Sequence, residues 1–231
     1  MRRGVVITGG SRGIGLATAR LFQSAGYEVV SLSRSPPPLD EVDHLVCDIG
    51  DPVSVAQAGE LAAERVQDWD QTVLIHNAAV HRQDTVADLA ADDLLAVLCA
   101  NLVTPQALNR RLLPLMRPGS SVLYVGSTLA EKAVAGAASY VVSKHGLIGL
   151  MRATCQDLAG RGVHTACVCP GFTDTDMLRA HAGDAVEAIT AMVTAGRLLA
   201  PAEIADLLRV CADSPALNGA VLHANLGQIE R

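Results

Sequence analysis

The chain has 231 residues, a length typical of one large α/β domain with a substantial buried core. Half of the residues are hydrophobic and only 3% are aromatic, which favours close-packed strands and helices over a disordered or fibrous chain. The formal net charge is -6 and there is no basic block, which argues against a surface that binds nucleic acid.

Short apolar runs alternate with amphipathic stretches along the chain. The apolar runs predict strands buried on both faces, namely Val5–Thr8, Glu28–Leu32, His44–Cys47, Thr72–His76, Ser121–Val125, Val163–Val168 and Ala220–His223. The amphipathic stretches predict helices at Ile14–Ala25, Pro52–Gln67, Asp92–Met116, Ala138–Ala159 and Pro201–Cys211. The fold class is therefore α/β, a single Rossmann-like doubly wound parallel sheet of about seven strands flanked by helices on both faces. We expect residues 1–231 to form this one domain, with the stiff loop Pro36-Pro37-Pro38 in place of a helix after the second strand.

The cysteines and the N-terminus indicate a reducing compartment. The six cysteines lack disulfide or metal spacing and are interpreted as reduced core residues: Cys47, Cys99, Cys155, Cys167, Cys169 and Cys211. No run of about 18 apolar residues occurs, and Met1-Arg2-Arg3 leads directly into a strand. We expect a soluble cytoplasmic protein with no membrane partner.

A glycine-rich turn joins the first strand to the first helix and reads Gly9-x-x-x-Gly13-x-Gly15. Glycine permits positive φ and leaves room for a phosphate, and the following helix N-terminus offers unpaired N–H groups. We interpret this turn as the pyrophosphate site of a nucleotide, formed by Thr8, Gly9, Ser11, Arg12, Gly13, Ile14 and Gly15. The alternative is that the glycines only form the turn.

The residues after the second strand bear on the choice of cofactor. In such sheets this position approaches the adenosine ribose, and an acid there would accept hydrogen bonds from a 2′-hydroxyl. This chain has Ser33-Arg34 and no acid until Asp40. Arg34 can pair bidentately with a 2′-phosphate, with help from Arg12, which favours NADP(H) over NAD(H). The alternative is that both arginines are solvated surface residues.

Tyr140 and Lys144 are four residues apart on a predicted helix and therefore share a face. A free phenol is a poor base at neutral pH, but an ammonium at about 4 Å favours the phenolate by about 4 kcal/mol at an effective dielectric near 20. Ser127 ends a predicted strand, where ligand sites of open α/β sheets lie. The pattern predicts proton exchange by Tyr140 beside a bound nucleotide, with Ser127 holding the substrate oxygen.

Together these motifs resemble the short-chain dehydrogenase/reductase family, and the likeness covers essentially the whole chain. It includes Asp48, Asn77-Ala78-Ala79, Asn101 and the segment Pro170–Met177. The resemblance implies a carbonyl or secondary-alcohol oxidoreductase with pro-S hydride transfer, in which Asn101 holds a water of the proton relay beside the lysine. It assigns to the cofactor site Asp48, Ile49, Asn77, Ala78, Ala79, Tyr140, Lys144, Pro170, Gly171 and Thr173. Ala79 replaces the usual glycine, and we expect a tolerated methyl if its backbone does not need positive φ.

The later part of the chain looks like the 3-oxoacyl-(acyl carrier protein) reductases of this family. The segment Phe172–Arg197 is expected to be a long loop that covers a small carbonyl or alcohol substrate, free or linked to the carrier protein. The chain departs from the family at Asn225-Leu226-Gly227 and ends early at Arg231, which leaves the exact substrate open. Arg179 is either a contact for an acidic carrier protein or an ordinary surface residue.

Other interpretations remain open from the sequence. An NAD-dependent secondary-alcohol or sugar dehydrogenase would share the same residues, whereas a nucleotide-sensing regulator would not need the Tyr-Lys pair. By family likeness the helices Asp92–Met116 and Ala138–Ala159 form a homotetramer or homodimer. We expect no metal site and no catalytic role for six scattered histidines, His76, His81, His145, His164, His181 and His223. Asp174 and Asp176 are expected to cap a turn.

Overall fold

The computed structural model describes residues 1–228, in which seven parallel strands form one sheet. The strands are β1 Arg3–Thr8, β2 Glu28–Ser33, β3 Val42–Val46, β4 Gln71–His76, β5 Ser121–Val125, β6 His164–Pro170 and β7 Ala220–Ala224. Their order across the sheet is β3-β2-β1-β4-β5-β6-β7. The predicted doubly wound parallel sheet is confirmed, and each predicted strand agrees with the structure to within two residues at either end.

Helices cover both faces of the sheet. They are α1 Gly13–Ser24, α2 Pro52–Val66, α3 Ala91–Leu98, α4 Thr104–Leu112, α5 Ala138–Asp157, α6 Asp176–Ala182, α7 Val186–Ala191 and α8 Pro201–Asp213. One apolar cluster joins α2, α4 and α5 to one face, and a second joins α1 and α8 to the other. The β2–β3 connection contains the three prolines and no helix, as predicted.

The predicted helix Asp92–Met116 is helical over nearly its whole length but is not one regular α-helix. Instead, α3 is followed by a π-helical turn at Cys99–Val103, then by α4 and a short 3₁₀ turn at Leu113–Leu115. Asn101 lies within the π turn, where its side chain bonds to a neighbouring loop and to α5. These long-range bonds compensate for the irregular backbone, and π turns of this kind are frequent at functional sites.

The expected long loop Phe172–Arg197 contains two short helices, α6 and α7. Thr175 caps α6, with its Oγ1 accepting a hydrogen bond from the Leu178 N–H at 3.3 Å. The expected capping role of Asp174 is wrong, because its carboxylate accepts two hydrogen bonds from Arg179 at 2.7 and 2.9 Å. Asp176 lies in the first turn of α6, where a negative charge interacts favourably with the helix dipole.

The expectation that all six cysteines are core residues is confirmed for four of them. Four cysteines are buried, whereas Cys99 on the π turn and Cys155 beside Asn218 at the edge of α5 are only partly buried.

In residues 1–228 no helix is both long and apolar enough to cross a lipid bilayer. The expectation about the chain end at Arg231 lies outside the described residues.

The strand order creates a crevice at one edge of the sheet. The chain moves outward from β1 through β2 to β3 and then returns to place β4 on the other side of β1. Connections therefore leave β1 and β4 in opposite directions, and ligands of open α/β sheets bind at such a point beyond the carboxyl ends of the strands.

Candidate active site

A cleft of about 910 Å³ lies at the carboxyl edge of the sheet. It is lined by the turn after β1, the ends of β2 to β6, the start of α5 and the segment around α6. Nearly all residues that the sequence assigned to the cofactor or to catalysis line this cleft. The two exceptions are Thr8 and Asn101, which lie behind its wall.

The glycine turn has the tight backbone that the sequence predicted. Gly9 has a φ of 73°, a conformation that favours glycine. A Cβ on Gly15 would overlap the carbonyl oxygen of Gly9, so any side chain there would force the turn open. The N-cap residue of α1, Arg12, makes no side-chain cap, and the first turn of α1 carries no acid. The first N–H groups of α1 therefore suit a pyrophosphate.

Thr8 supports the turn and does not line the cleft. It is buried, and its Oγ1 accepts hydrogen bonds from the N–H groups of Asn77 and Ala78, both at 3.0 Å. Asn77 Nδ2 in turn donates to the carbonyl oxygens of Thr8 and Gly9 at 2.9 and 3.3 Å. The Thr8 side chain is thus engaged by Asn77 and Ala78, and its contact with the cofactor stays a prediction. Ala79 does not have a positive φ, so its methyl group is tolerated.

The adenosine end of the cleft carries a cation with no anionic partner. Arg34 is exposed and forms no ion pair with the described residues, and the buried Ser33 Oγ donates to the Ser35 carbonyl at 2.8 Å. Arg12 meets Asp176 only at 3.8 Å, and both side chains are mostly exposed. Asp48 accepts a hydrogen bond from the Gly50 N–H at 2.9 Å, which orients it at the cleft. Arg34 is therefore available to pair with an anionic group of a ligand bound in the cleft.

Tyr140, Lys144 and Ser127 converge at the other end of the cleft. Lys144 is almost fully buried, and its Nζ donates to the Val125 carbonyl at 2.8 Å. An ammonium has three donors, so two remain for a ligand in the cleft. The Tyr140 ring lies 5.5 Å from that Nζ, and Ser127 Oγ accepts from the Leu129 N–H at 3.1 Å, which leaves its hydroxyl proton free to donate.

Asn101 shapes the wall behind this group. Its Oδ1 accepts from the Val80 N–H at 2.8 Å, and its Nδ2 donates to the Val80 carbonyl at 2.9 Å and to Ser143 Oγ at 3.0 Å. Ser143 Oγ then donates to the Tyr140 carbonyl at 2.7 Å. The amide thus ties the loop after β4 to the helix that carries Tyr140.

A buried carboxylate that sequence reasoning missed holds the start of α5. Asp84 accepts hydrogen bonds from the N–H of Ser139, at 2.9 Å, and from its hydroxyl. Its main chain also exchanges hydrogen bonds with Gly136 and Ala138. Asp84 and Ser139 are far apart in sequence, so no local pattern could reveal their contact.

Two histidines that the sequence left without a role meet beside Tyr140. The His81 ring centre lies 4.6 Å from that of Tyr140 and 3.7 Å from that of His181 on α6. Burial and the neighbouring His181 lower the pKa of His81 to about 4, with Asp84 acting in the opposite direction. No group of three potential metal ligands was found in residues 1–228.

The substrate end of the cleft is mainly apolar. Side chains from the 3₁₀ turn Thr128–Ala130 after β5, the loop before α5 and the segment that contains α6 and α7 line it, including Leu129, Val134, Phe172, Met177, Leu178 and Ile189. Arg179 is exposed and paired with Asp174, so its charge is already balanced. Leu226 belongs to the segment Asn225-Leu226-Gly227, which departs from the family's sequence pattern. It has a φ of 50° and packs against the second apolar cluster, which joins α1 and α8 to the sheet.

Comparisons with known proteins agree with this geometry. A family model described as enoyl-(acyl carrier protein) reductase matches residues 9–228. The chain is 29% identical to the 3-oxoacyl-(acyl carrier protein) reductase FabG of Salmonella typhimurium, covering 96% of this chain and 95% of that protein. It is 32% identical to carbonyl reductase family member 4 of Danio rerio, covering 96% of each.

Solved structures also resemble this chain over nearly its full length. A short chain dehydrogenase from Burkholderia cenocepacia in complex with NADP superposes with a TM-score of 0.87 at 27% identity, covering 98% of this chain and 97% of that one. The ligand-free aldohexose dehydrogenase of Thermoplasma acidophilum superposes with a TM-score of 0.89 at 25% identity, covering 98% and 94%.

Proposed function

Because the chain belongs to the short-chain dehydrogenase/reductase family of NAD(P)-dependent oxidoreductases, we propose that it uses NADPH to reduce a ketone carbonyl. The observation that carries this proposal is the convergence of Tyr140, Lys144 and Ser127 on the cleft that also contains the glycine turn. As part of the proposal, residues 1–231 form one cofactor-binding domain whose substrate segment is about 172–197.

The preference for NADPH over NADH rests on charge. Arg34 lies at the adenosine end without an ion pair among the described residues, and Arg12 is only loosely paired. A 2′-phosphate would give Arg34 a bidentate partner, whereas a 2′-hydroxyl would leave it with no anion. A related dehydrogenase binds NADP, which is consistent with this preference. The two open donors of Lys144 suit the hydroxyl groups of the nicotinamide ribose.

The chain's own residues then supply the acid and the positioning. Bound NADPH supplies the hydride. Ser127 and Tyr140 donate hydrogen bonds to the substrate oxygen, and Tyr140 gives up its proton as that oxygen becomes an alcohol. Lys144 favours the resulting phenolate by its positive charge. In this proposal Asn101 takes part in the water relay that returns the proton, and it keeps Val80 and α5 at a fixed separation.

A 3-oxoacyl ester or thioester, free or linked to an acyl carrier protein, is the substrate class that we propose. Relatives named as 3-oxoacyl reductases support it, and the largely apolar cleft wall suits an acyl chain. The alternative is an NAD-dependent secondary-alcohol or sugar dehydrogenase, which the structural likeness to an aldohexose dehydrogenase favours. A sugar, however, needs many polar partners, and much of the wall is formed by apolar side chains such as Leu129, Phe172 and Ile189, so its polar contacts would depend on side chains such as His81, Gln83 and Gln228. A nucleotide sensor without turnover would not need the Tyr140–Lys144 pair.

We also propose a cytoplasmic homotetramer or homodimer that pairs through the α3–α5 side. Apolar side chains on this side are exposed in the single chain, namely Leu95, Val103 and Val142. Exposed apolar patches of this kind mark association surfaces. Light scattering of the purified protein checks this part of the proposal.

A substrate panel tests the main proposal. Acetoacetyl thioesters, β-keto esters and cyclic ketones are offered with NADPH and with NADH at equal concentration, and aldohexoses with NADP⁺ and with NAD⁺. The proposal expects the highest kcat/KM for a 3-oxo ester or thioester with NADPH. Turnover of aldohexoses with NAD⁺ alone would support the alternative instead.

A further inference from the structure

His81 differs from the other histidines in its hydrogen bonding. The others each have a polar partner: His44, His76, His145, His164, His181 and His223. Neither ring nitrogen of His81 has one among residues 1–228, and its Nδ1 is buried. A buried polar atom without a partner is costly, so its presence beside Tyr140 calls for a functional reason.

His81 lines the same cleft as two side chains that already supply donors for the reacting oxygen, Ser127 and Tyr140. A carbonyl oxygen has two lone pairs, and the hydroxyl groups of Ser127 and Tyr140 suffice to occupy both. The His81 ring, whose centre lies 4.6 Å from the centre of the Tyr140 ring, therefore leaves a third donor for a different acceptor on the substrate. Gln228 Oε1 is another buried, unpartnered atom that lines the same cleft.

The neutral state of the His81 ring indicates that its hydrogen-bond acceptor on the substrate is also uncharged. Burial and the neighbouring His181 hold its pKa at about 4, against a weaker opposite effect of Asp84, so the ring is neutral at pH 7 and carries one N–H donor. Three cationic side chains among the described residues line the cleft, namely Arg12, Arg34 and Lys144. Arg12 and Arg34 lie at the adenosine end, and Lys144 lies beside Tyr140 with its open donors assigned to the nicotinamide ribose. A charged carboxylate substrate would thus find no unassigned lysine or arginine partner beside His81.

We propose that His81 is a specificity-determining residue that donates a hydrogen bond to a second carbonyl oxygen, one methylene away from the ketone that is reduced. This inference rests on the proposed reductase function and deepens it, because it makes His81 the group that selects 3-oxo esters and thioesters over simple ketones. His181 on α6 packs edge-on against His81, with 3.7 Å between the ring centres.

Two substrates of equal main-chain length separate this role from a packing role. Ethyl 3-oxobutanoate carries the second carbonyl, and 2-heptanone does not. His81→Phe keeps an aromatic ring against Tyr140 but removes both nitrogens. We expect kcat/KM for the keto ester to fall about tenfold, equivalent to about 1.4 kcal/mol, with a much smaller change for 2-heptanone.

Further variants control for folding and for general ring effects. His81→Gln restores an N–H donor and is expected to recover part of the selectivity, and His145→Phe, on the exposed face of α5, is expected to leave both rates unchanged. NADPH titration of His81→Phe verifies that the cofactor site is intact. Equal losses for both substrates, or no loss for either, would overturn the inference while leaving the reductase function in place. A wild-type protein that reduces neither substrate would contradict the proposed function itself.

Discussion

Lys144 Nζ lies 5.5 Å from the centre of the Tyr140 ring and is held there by a 2.8 Å hydrogen bond to the carbonyl oxygen of Val125. The two residues share one face of α5, and Val125 ends the neighbouring strand β5. The ammonium is therefore anchored to the sheet and is not a mobile, solvent-exposed group. This arrangement keeps a positive charge beside the phenol and beside the cleft at the same time.

Arg34 is expected to determine the choice between the two nicotinamide cofactors. Arg34→Glu replaces a cation that suits a 2′-phosphate by an anion that accepts hydrogen bonds from a 2′-hydroxyl. We expect kcat/KM for NADPH to fall about 10- to 100-fold, which corresponds to the loss of one charge-assisted pair, and that for NADH to rise. Arg20→Glu, on the exposed face of α1, serves as the control and should change neither. An unchanged preference for NADPH in Arg34→Glu would refute this assignment.

Asp84 is expected to stabilise the start of the helix that carries Tyr140. Asp84→Ala removes the buried acceptor of the Ser139 N–H and hydroxyl. Loss of such a cap, with buried donors left unpaired, costs about 2 kcal/mol, and the melting temperature should fall by roughly 4–8 °C. Asp157→Ala, at the opposite and exposed end of α5, is the matched control in thermal melts. Equal melting temperatures for Asp84→Ala and the wild type would contradict this role.

Most strands and helices could be predicted from the sequence, because buried parallel strands appear in it as continuous apolar runs. The seven strands and the helices α1, α2, α5 and α8 follow directly from such periodicity. The π turn at Cys99–Val103 did not, because its backbone depends on the tertiary bonds of Asn101. The helices α6 and α7 have only 7 and 6 residues, too few for a clear periodic pattern.

The candidate active site shows the same difference between features that are local in sequence and contacts between distant segments. The glycine turn and the Tyr140–Lys144 pair are local in sequence, so their chemistry could be predicted from spacing. The contacts of His81 with His181 and of Asp84 with Ser139 join distant segments, and only the folded chain reveals them. The spacing also did not reveal that Thr8 supports the backbone beneath the turn, because its partners Asn77 and Ala78 are distant in sequence.

His76 is expected to make stability depend on pH in the acid range. It is fully buried with Nε2 at 2.8 Å from Asn109 Oδ1, and burial lowers its pKa to about 4, although that hydrogen bond acts in the opposite direction. An unfolded histidine titrates near pH 6.5, so between about pH 6.5 and 4 only the unfolded state takes up the proton. The contribution of His76 to the free energy of unfolding should therefore fall by about 2 kcal/mol from pH 7 to pH 5, in addition to that of His81, whose pKa is also about 4.

Urea unfolding at the two pH values checks this expectation. His76→Gln should lower the stability at pH 7 but lose about 2 kcal/mol less on acidification than the wild type does. His145→Gln, an exposed histidine on α5, should keep the wild-type pH dependence. A His76→Gln protein with the full wild-type decrease would show that another group is responsible.

The most direct measurement of the central claim is single-turnover reduction of ethyl 3-oxobutanoate by NADPH with Tyr140→Phe. This change removes only the hydroxyl and keeps the ring that packs between Lys144 and His81. Removing a positioned general acid costs about 10²- to 10⁴-fold, so we expect the rate of hydride transfer to fall by that factor while NADPH still binds in a fluorescence titration. A Tyr140→Phe protein that binds NADPH and reduces the keto ester at the wild-type rate would contradict the account.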